Sequence, residues 1–523
     1  MFIPASTPAT GTDPFAPATQ FFDELKIRLA GGEALGMDHA NAERLLKAEG
    51  TELLRLLYQG WLNQKAPGEA AGEVVGADGV ERTHERLLET GLKTIFGRVE
   101  VNRMGYSAHD ALTLFPRDAE LNLPSDLYSH GLERCAVDEL IKTSFDQATA
   151  AIERTTGTTV PKRQLEGLAG RAATDFDAFY KKRAAAALRE LRSSSGILVL
   201  STDGKGIRMR LDSLREATRK VAEQRAHKMS TRLSPGEKRG CKRMAQVAAV
   251  YTIAPFIRGP EDVIAELGPV RLVQDKAKRP RPEHKRVWAS IDKDPALVIE
   301  EMFQEALRRD PERTKSWVIL IDGSPTQLKL VKAAAKKHSV SVTIVVDLIH
   351  VLEYVWKAGF ALLGKDDPDV EGWVNERALE ILRGHSSDVA AGMRRSATLK
   401  KLPTKERVAV DDCADYLLEY RPYLRYDQYL QAGFPIATGV IEGTCRHLIN
   451  DRMDLTGASW GLQGAESVLK LRSLMASGDL DEYWTFHEKA QWTRNHAEKY
   501  RGAPPATLPP LKLTSRGNLR LVK

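Results

Sequence analysis

Two short apolar runs in this chain end in the dipeptide Asp-Gly: Gly196-Ile-Leu-Val-Leu-Ser-Thr-Asp203-Gly204 and Trp317-Val-Ile-Leu-Ile-Asp322-Gly323. Each run reads as a buried central strand, because consecutive apolar and β-branched residues leave no polar face. A carboxylate at the end of such a strand lies at the edge of the sheet, and the glycine lets the chain turn away. Carboxylates aimed from neighbouring strands at one point repel unless a cation or a shared proton compensates. A third acid stands in Gly439-Val-Ile-Glu442-Gly-Thr-Cys-Arg446-His-Leu-Ile-Asn450. There Val440, Ile441, Cys445, Leu448 and Ile449 form the apolar face of a predicted helix, and Glu442, Arg446 and Asn450 recur every four residues beside it. Spacing alone favours an i,i+4 ion pair between Glu442 and Arg446, worth a few tenths of a kcal/mol. The flanking Thr438-Gly439 and Gly443, with the apolar surround, favour a functional Glu442 instead. Three carboxylates suit a hard cation such as Mg²⁺, with Mn²⁺ as a substitute, since oxygen ligands and retained waters suffice. Two such ions about 4 Å apart activate a water or a 3′-hydroxyl and steady the leaving oxygen in an in-line displacement at phosphorus.

The elements that must position these acids follow from periodicity. Strands are predicted over 196–203, 206–211 and 244–253, with basic stretches between and after them. A helix over 295–307, a strand over 317–322, a helix over 327–338, a strand over 341–347 and a helix over 351–363 follow. Three strands and then alternating helix and strand define a mixed α/β sheet. The order matches the ribonuclease H-like fold, and by that analogy the first and fourth strands are neighbours and carry Asp203 and Asp322. Residues 364–435 read as an all-helical insertion. In it Tyr416, Tyr420, Tyr423 and Tyr426 recur at helical spacing, as a packing stripe does.

At 523 residues the chain is too long for one core. With 42% hydrophobic and 28% charged residues it has a soluble protein's composition, and no apolar run reaches the ~18 residues of a membrane span. Residues 1–20 read as a disordered leader without signal-peptide character. Cys135, Cys241, Cys413 and Cys445 show no short paired spacing, which argues against a disulfide framework or a zinc ribbon and for a reducing cytoplasm. The net charge of +7 is concentrated. One cluster includes Lys238, Arg239, Lys242 and Arg243, and a second includes Lys278, Arg279, Arg281, Lys285 and Arg286. Both follow the first Asp-Gly, which favours phosphate contacts, although solvated charged surface accounts for either cluster taken singly.

Upstream, residues 21–66 read as helical, and 67–125 as a Gly/Ala-rich linker with a small β-hairpin around Gly97. Residues 126–192 are helical again. Within them a helix ends at Gly157, and a second opens after Pro161 with Lys162 and Arg163. The arrangement suits a DNA-binding helix-turn-helix as well as an ordinary helical hairpin. The remaining divisions are a first core part (193–363), the insertion, a second core part with Glu442 and C-terminal helices (436–500), and a basic tail (501–523).

Asp203-Gly204, Asp322-Gly323 and Glu442, in this order, resemble the DDE transposases of bacterial insertion sequences, in particular the Kra-type group with Mutator-like affinities. The stretches that carry the resemblance are Leu200-Ser-Thr-Asp-Gly-Lys-Gly, Ile321-Asp-Gly-Ser-Pro leading to Val346-Asp347-Leu-Ile-His350, and above all Gly439 through Trp460. The resemblance implies a ribonuclease H-like core whose metal-binding triad is Asp203, Asp322 and Glu442. It also implies Mg²⁺-dependent cutting of transposon ends, transfer of their 3′-hydroxyls to double-stranded target DNA, a homodimer or larger assembly, and a bacterial, nucleoid-associated location. Asp347 and His350 look like an Asp/Cys-x-x-His element with a supporting or DNA-contacting role, and Arg446 is assigned the same kind of role. Asp347, which also ends an apolar strand, competes with Asp322 for the second carboxylate. A nuclease without strand transfer and a silent DNA-binding repressor are the alternative functions.

Overall fold

Burial on both faces dictates the centre of the molecule. The computed structural model describes residues 13–65, 67–186, 196–224, 242–267 and 279–508. The leader up to residue 12, the basic tail from 509, and Lys238, Arg239 and Lys278 lie outside the described residues. The chain divides into two units, residues 176–480 and residues 1–175 with 481–523.

In the unit 176–480, strands β4 (Ile197–Arg208), β5 (Lys242–Ile253), β6 (Glu283–Ser290), β7 (Trp317–Ile321) and β8 (Thr343–Val346) form one sheet in the order β6-β5-β4-β7-β8. The first three run antiparallel, and β7 and β8 join parallel to β4. This mixed five-stranded sheet in a mostly helical chain is compatible with a ribonuclease H-like arrangement, and β4 and β7 are neighbours as expected. Every residue of β7 is buried, as the apolar run requires. Helices Pro295–Arg309, Pro325–Lys337 and Leu348–Leu363 connect or follow the later strands.

Two strand expectations change. Instead of two strands over 196–211, β4 runs unbroken past Asp203 to Arg208, because β5 pairs with it along its whole length. The third strand, β6, lies in what reads from sequence as a basic loop. Its first half, Glu283–Lys285, is exposed and charged, and only Val287–Ser290 are buried, so the strand signal is diluted. Arg286 is consequently half-buried and engaged within the unit. Its guanidinium donates to Glu305 Oε2 at 2.6 Å and lies 3.7 Å over the Tyr180 ring and 4.6 Å over the Trp288 ring. Glu305 is 3% exposed and also receives Arg308 and Arg309. Arg243 is likewise taken up internally, donating to Ile291 O (2.8 Å) and Ser213 O (3.2 Å).

Residues 364–435 are helical as expected, with helices Val370–Leu382, Ser386–Leu399, Thr404–Glu419 and Tyr426–Gln431. The tyrosines pack, and Tyr426 and the neighbouring Tyr429 also donate hydrogen bonds to β8. The Tyr426 hydroxyl reaches Val346 O at 2.7 Å and the Tyr429 hydroxyl reaches Ile344 O at 3.3 Å. These carbonyls belong to the edge strand β8, which would otherwise present unpaired acceptors.

In the other unit, β1 (His84–Thr94), β2 (Gly97–Ala108) and β3 (Ala111–Leu114) form an antiparallel sheet, larger than the predicted hairpin. Helix His39–Lys65 lays Leu62 against Leu92, Val99 and Val101 of this sheet. The predicted linker is tied down by backbone pairing: Ala71 N donates to Ala506 O (2.8 Å), Arg501 N to Val75 O (3.1 Å) and Leu508 N to Glu69 O (2.7 Å). Pairing across that sequence distance leaves no local signature. Helices His130–Leu140, Phe145–Thr156 and Lys162–Ala172 pack on one another. The middle helix opens with a Ser144–Gln147 capping box and closes on Gly157 at φ +68°. Residues from Asp481 belong to this unit and not to the sheet unit. Asp175 holds the His487 ring at 2.7 Å and the Arg494 guanidinium at 2.5 Å there. No helix among the described residues is long and apolar enough to cross a membrane.

Three guanidinium groups hold the Glu305 carboxyl down at about 2, against an ordinary 4.5, despite its burial. Its contribution to stability is therefore full above pH 4.5 and is lost as pH falls towards 2. Glu305→Gln should cost roughly 3–5 kcal/mol at pH 7, because it strands buried cations. It should also flatten the acid limb between pH 4.5 and 2, a change that urea titrations at pH 7 and pH 3 would measure.

Candidate active site

Register brings the first two acids together. β4 and β7 pair in parallel through Ser201 and Leu320, and carrying that register two residues further sets Asp203 level with Asp322. Buried polar side chains fasten this end of the sheet. Ser201 Oγ donates to Leu320 O (3.1 Å), Thr202 Oγ1 to Val247 O (2.8 Å), and Gln246 Nε2 to Thr202 Oγ1 (2.6 Å) and Asp203 O (3.1 Å). Asp203 accepts from its neighbour Gly204 N at 2.6 Å and from the Cys445 thiol at 3.3 Å. Burial raises the Asp203 carboxyl above the ordinary range, and the charge of Asp322 pushes the same way against the Cys445 hydrogen bond.

Asp322 opens the turn into the helix Pro325–Lys337. Its Oδ1 accepts from Ser324 N at 2.9 Å. It also accepts from Gln327 at 3.1 Å when that amide is oriented to satisfy its neighbours. Gly323 has φ +87°, and a Cβ there would come within 2.4 Å of the Tyr416 hydroxyl. That hydroxyl donates to Asp322 O at 3.1 Å, and its ring stacks on Tyr354 at 4.2 Å. A glycine in a left-handed conformation and a tyrosine from the helical insertion thus fix where Asp322 emerges.

Glu442 lies in the first turn of helix Gly439–Thr444, which continues as a π-helical stretch over Cys445–Asn450. The wider turn breaks the four-residue stripe, and the Glu442–Arg446 ion pair favoured by spacing is not formed among the described residues. Both side chains are exposed. Burial of its surroundings raises the Glu442 carboxyl, and the charges of Asp347 and Asp203 raise it further. Glu442 therefore stands within electrostatic reach of Asp203. The π-helical stretch has a visible support: Arg472, buried on helix Leu462–Ser477, donates to Leu448 O at 2.8 Å and to His447 O. Trp460 is a packing residue, 5% exposed, with the buried Arg452 4.8 Å over its ring. Its backbone exchanges hydrogen bonds with Arg208 and Arg210 at the far end of β4 (3.0 and 2.8 Å).

Asp347 is 2% exposed. Its Oδ1 accepts from Ile349 N (3.1 Å), capping helix Leu348–Leu363, and from Thr438 N (3.2 Å), and its Oδ2 accepts from the Thr438 hydroxyl. Burial raises this carboxyl also. His350, one turn on, faces Glu353 at 3.8 Å. The three acids offer only oxygen, the donor chemistry Mg²⁺ takes with water completing its shell. No group of three or more His, Cys, Asp or Glu side chains among the described residues is already drawn together as a metal cage.

The basic residues are dispersed. Lys162 and Arg163 are exposed on the first turn of their helix, Lys162 pairing with Asp146 at 2.7 Å. Lys242, Arg281 and Lys285 are exposed, and Arg279 pairs with Glu266 at 3.2 Å. Sequence reasoning missed Gln246, Gln327 and Arg472, placed Cys445 only on an apolar face, and took Thr438 only as a flank of Glu442.

No protein-family profile matches the chain, and no curated protein does. Among solved structures it is similar to the Drosophila P element transposase strand transfer complex, at 10% identity over 71% of this chain and 81% of that chain, with a TM-score of 0.21. At that score the likeness carries no argument about the site.

Two substitutions should move stability in opposite directions. The Asp203 carboxyl is raised in the folded chain, so its ionisation opposes folding as pH rises past the ordinary carboxylate value. Without divalent metal at pH 7, Asp203→Asn should raise the melting temperature by about 2 °C. Thr438→Val should lower stability by about 1–3 kcal/mol, because Asp347 loses a buried partner. Calorimetry on both variants checks the pair.

Proposed function

We propose that this chain is a DDE-type DNA transposase that cuts the ends of a mobile element and joins their 3′-hydroxyls to double-stranded target DNA. The observation that carries the reading is the meeting of Asp203 and Asp322, level on neighbouring parallel strands, with Glu442 in electrostatic reach of Asp203. Mutual repulsion of these acids favours a cation between them. In this reading Asp203, Asp322 and Glu442 hold Mg²⁺, which supplies an activated oxygen nucleophile and steadies the leaving oxygen in the displacement at phosphorus. Cys445 holds the Asp203 carboxylate in place, and Ser324 and Gln327 orient Asp322. The exposed Arg446 and the half-buried His350 flank the acids as candidate contacts for the DNA backbone.

The exposed Lys162 and Arg163 open the last helix of a three-helix group, where a recognition helix would present its first turn to the major groove. Lys242, Arg281 and Lys285 are further candidate phosphate contacts. A dimer or larger assembly fits the need to join two ends.

The test is joining of labelled end-containing DNA to a target duplex in Mg²⁺ or Mn²⁺. Asp203→Ala, Asp322→Ala and Glu442→Ala should each lower strand transfer by about a thousandfold or more, roughly 4 kcal/mol of transition-state stabilisation. DNA retention in a mobility-shift assay should persist. Strand transfer surviving all three substitutions would overturn the site. Cleavage without joining would identify a nuclease instead.

A further inference from the structure

Within the unit formed by residues 1–175 and 481–523, a cavity of about 440 Å³ lies outside everything the reaction uses. Its wall includes Arg103 of β2, Phe115 and Asp118 after β3, and His496 and Lys499 from the C-terminal segment. Asp118 is 8% exposed, and its Oδ2 receives the Arg103 guanidinium. Its other oxygen, Oδ1, is buried and has no hydrogen-bond partner, and neither has Arg103 Nε. A buried acceptor without a donor is costly, which makes it a place where a ligand gains affinity. The Arg103 guanidinium lies 4.0 Å over the Phe115 ring, a flat, cationic wall.

His496 is 6% exposed, and its Nε2 meets Leu123 O at 2.8 Å. Burial pulls its pKa down to about 4, so at neutral pH the ring is uncharged, Nε2 carries the proton and Nδ1 remains an acceptor. Burial raises the Asp118 carboxyl to about 6 against the pull of Arg103, so it too is mainly an acceptor at pH 7 and above. Lys499 is exposed. The cavity wall therefore combines a carboxylate with one unpartnered oxygen, a neutral imidazole, a planar cation on an aromatic ring and a second cation.

We infer that this cavity takes one unpaired nucleobase with its phosphate: the planar ring lies by Arg103 and Phe115, an exocyclic amino group donates to the Asp118 carboxylate, and the phosphate meets Lys499. Adenine, cytosine and guanine carry such an amino group, and thymine does not. The base can come from a free nucleotide or from a strand displaced at a DNA end. Only the second source rests on the transposase reading.

Full-length protein should be titrated calorimetrically with dAMP, dCMP, dGMP, dTMP and deoxyribose 5-phosphate. At least one amino-bearing nucleotide should bind tenfold or more tightly than dTMP and the sugar phosphate. Lys499→Ala, at an exposed position, should weaken that binding threefold or more, and Asp118→Asn tenfold or more. Thermal melting of each variant separates loss of the site from loss of the fold. If Asp118→Asn does not fold, Lys499→Ala and the nucleotide ranking decide. A duplex with an unpaired terminal base, compared with a fully paired one, separates the sources: if only the frayed duplex is sensitive to Lys499→Ala, the base comes from DNA, and if the free nucleotides are sensitive, they suffice. Equal affinity for dTMP, the sugar phosphate and the amino-bearing nucleotides, or binding of both nucleotides and frayed duplex that is indifferent to Lys499→Ala, overturns the assignment. Asp203→Ala should leave the binding unchanged, so a failure of strand transfer and a failure of this site are read separately.

Discussion

The structure of the sheet unit follows from one constraint, the convergence of carboxylates at the end of a parallel strand pair. Once β4 and β7 are aligned through Ser201 and Leu320, Asp203 and Asp322 emerge at the same level, and β8 brings Asp347 beside them through its pairing of Ile321 with Val346. Charges of one sign gathered at a half-buried edge oppose folding. The surrounding chain supplies donors that offset this: a thiol, a threonine hydroxyl, a glutamine amide and backbone N–H groups at helix starts. None of these donors carries a formal positive charge. Such neutral donors hold the carboxylates in place without cancelling their charge, which leaves the site's attraction for a cation intact.

The helical insertion and the glutamate helix depend on the same edge. The insertion places tyrosine hydroxyls on carbonyls at or just beyond the ends of β7 and β8, Asp322 O, Ile344 O and Val346 O. The glutamate helix begins at Thr438, whose hydroxyl and N–H both go to Asp347. Its π-helical stretch, with carbonyls received by Arg472, turns Cys445 towards Asp203 while Glu442 remains at the surface. Position in sequence thus counts for little: Glu442 lies far along the chain from Asp203 and is returned to its electrostatic neighbourhood through the hydrogen bonds of Thr438 to Asp347 and of Cys445 to Asp203.

What could be read from sequence was whatever burial writes locally. The all-apolar runs announced β7 with Asp322 after it and the first half of β4 up to Asp203, and helical periodicity announced the insertion. Strand β6 was obscured because half of it is charged and exposed, and Arg286, counted as a phosphate contact, is held by Glu305 and two aromatic rings. A lone basic residue looks the same in sequence whether it faces phosphate or a buried glutamate. The pairing of residues 69–75 with 501–508, and the grouping of residues from Asp481 with the N-terminal unit, were hidden because long-range contacts leave no periodicity. The π-helical stretch was invisible for a related reason, since its support comes from Arg472 on another helix.

Level alone does not distinguish Asp322 from Asp347, because both end parallel strands side by side. Their hydrogen bonds differ. Asp347 is closed off: one oxygen takes two backbone N–H groups and the other takes the Thr438 hydroxyl, at 2% exposure. Freeing it for a cation would unlatch the start of the glutamate helix. Asp322 directs its hydrogen bonds to one oxygen, leaves Oδ2 without a hydrogen bond among the described residues, and is partly exposed. A carboxylate with an open oxygen can change partners without disturbing the fold, whereas Asp347 is better suited to holding the strap on which Glu442 is carried.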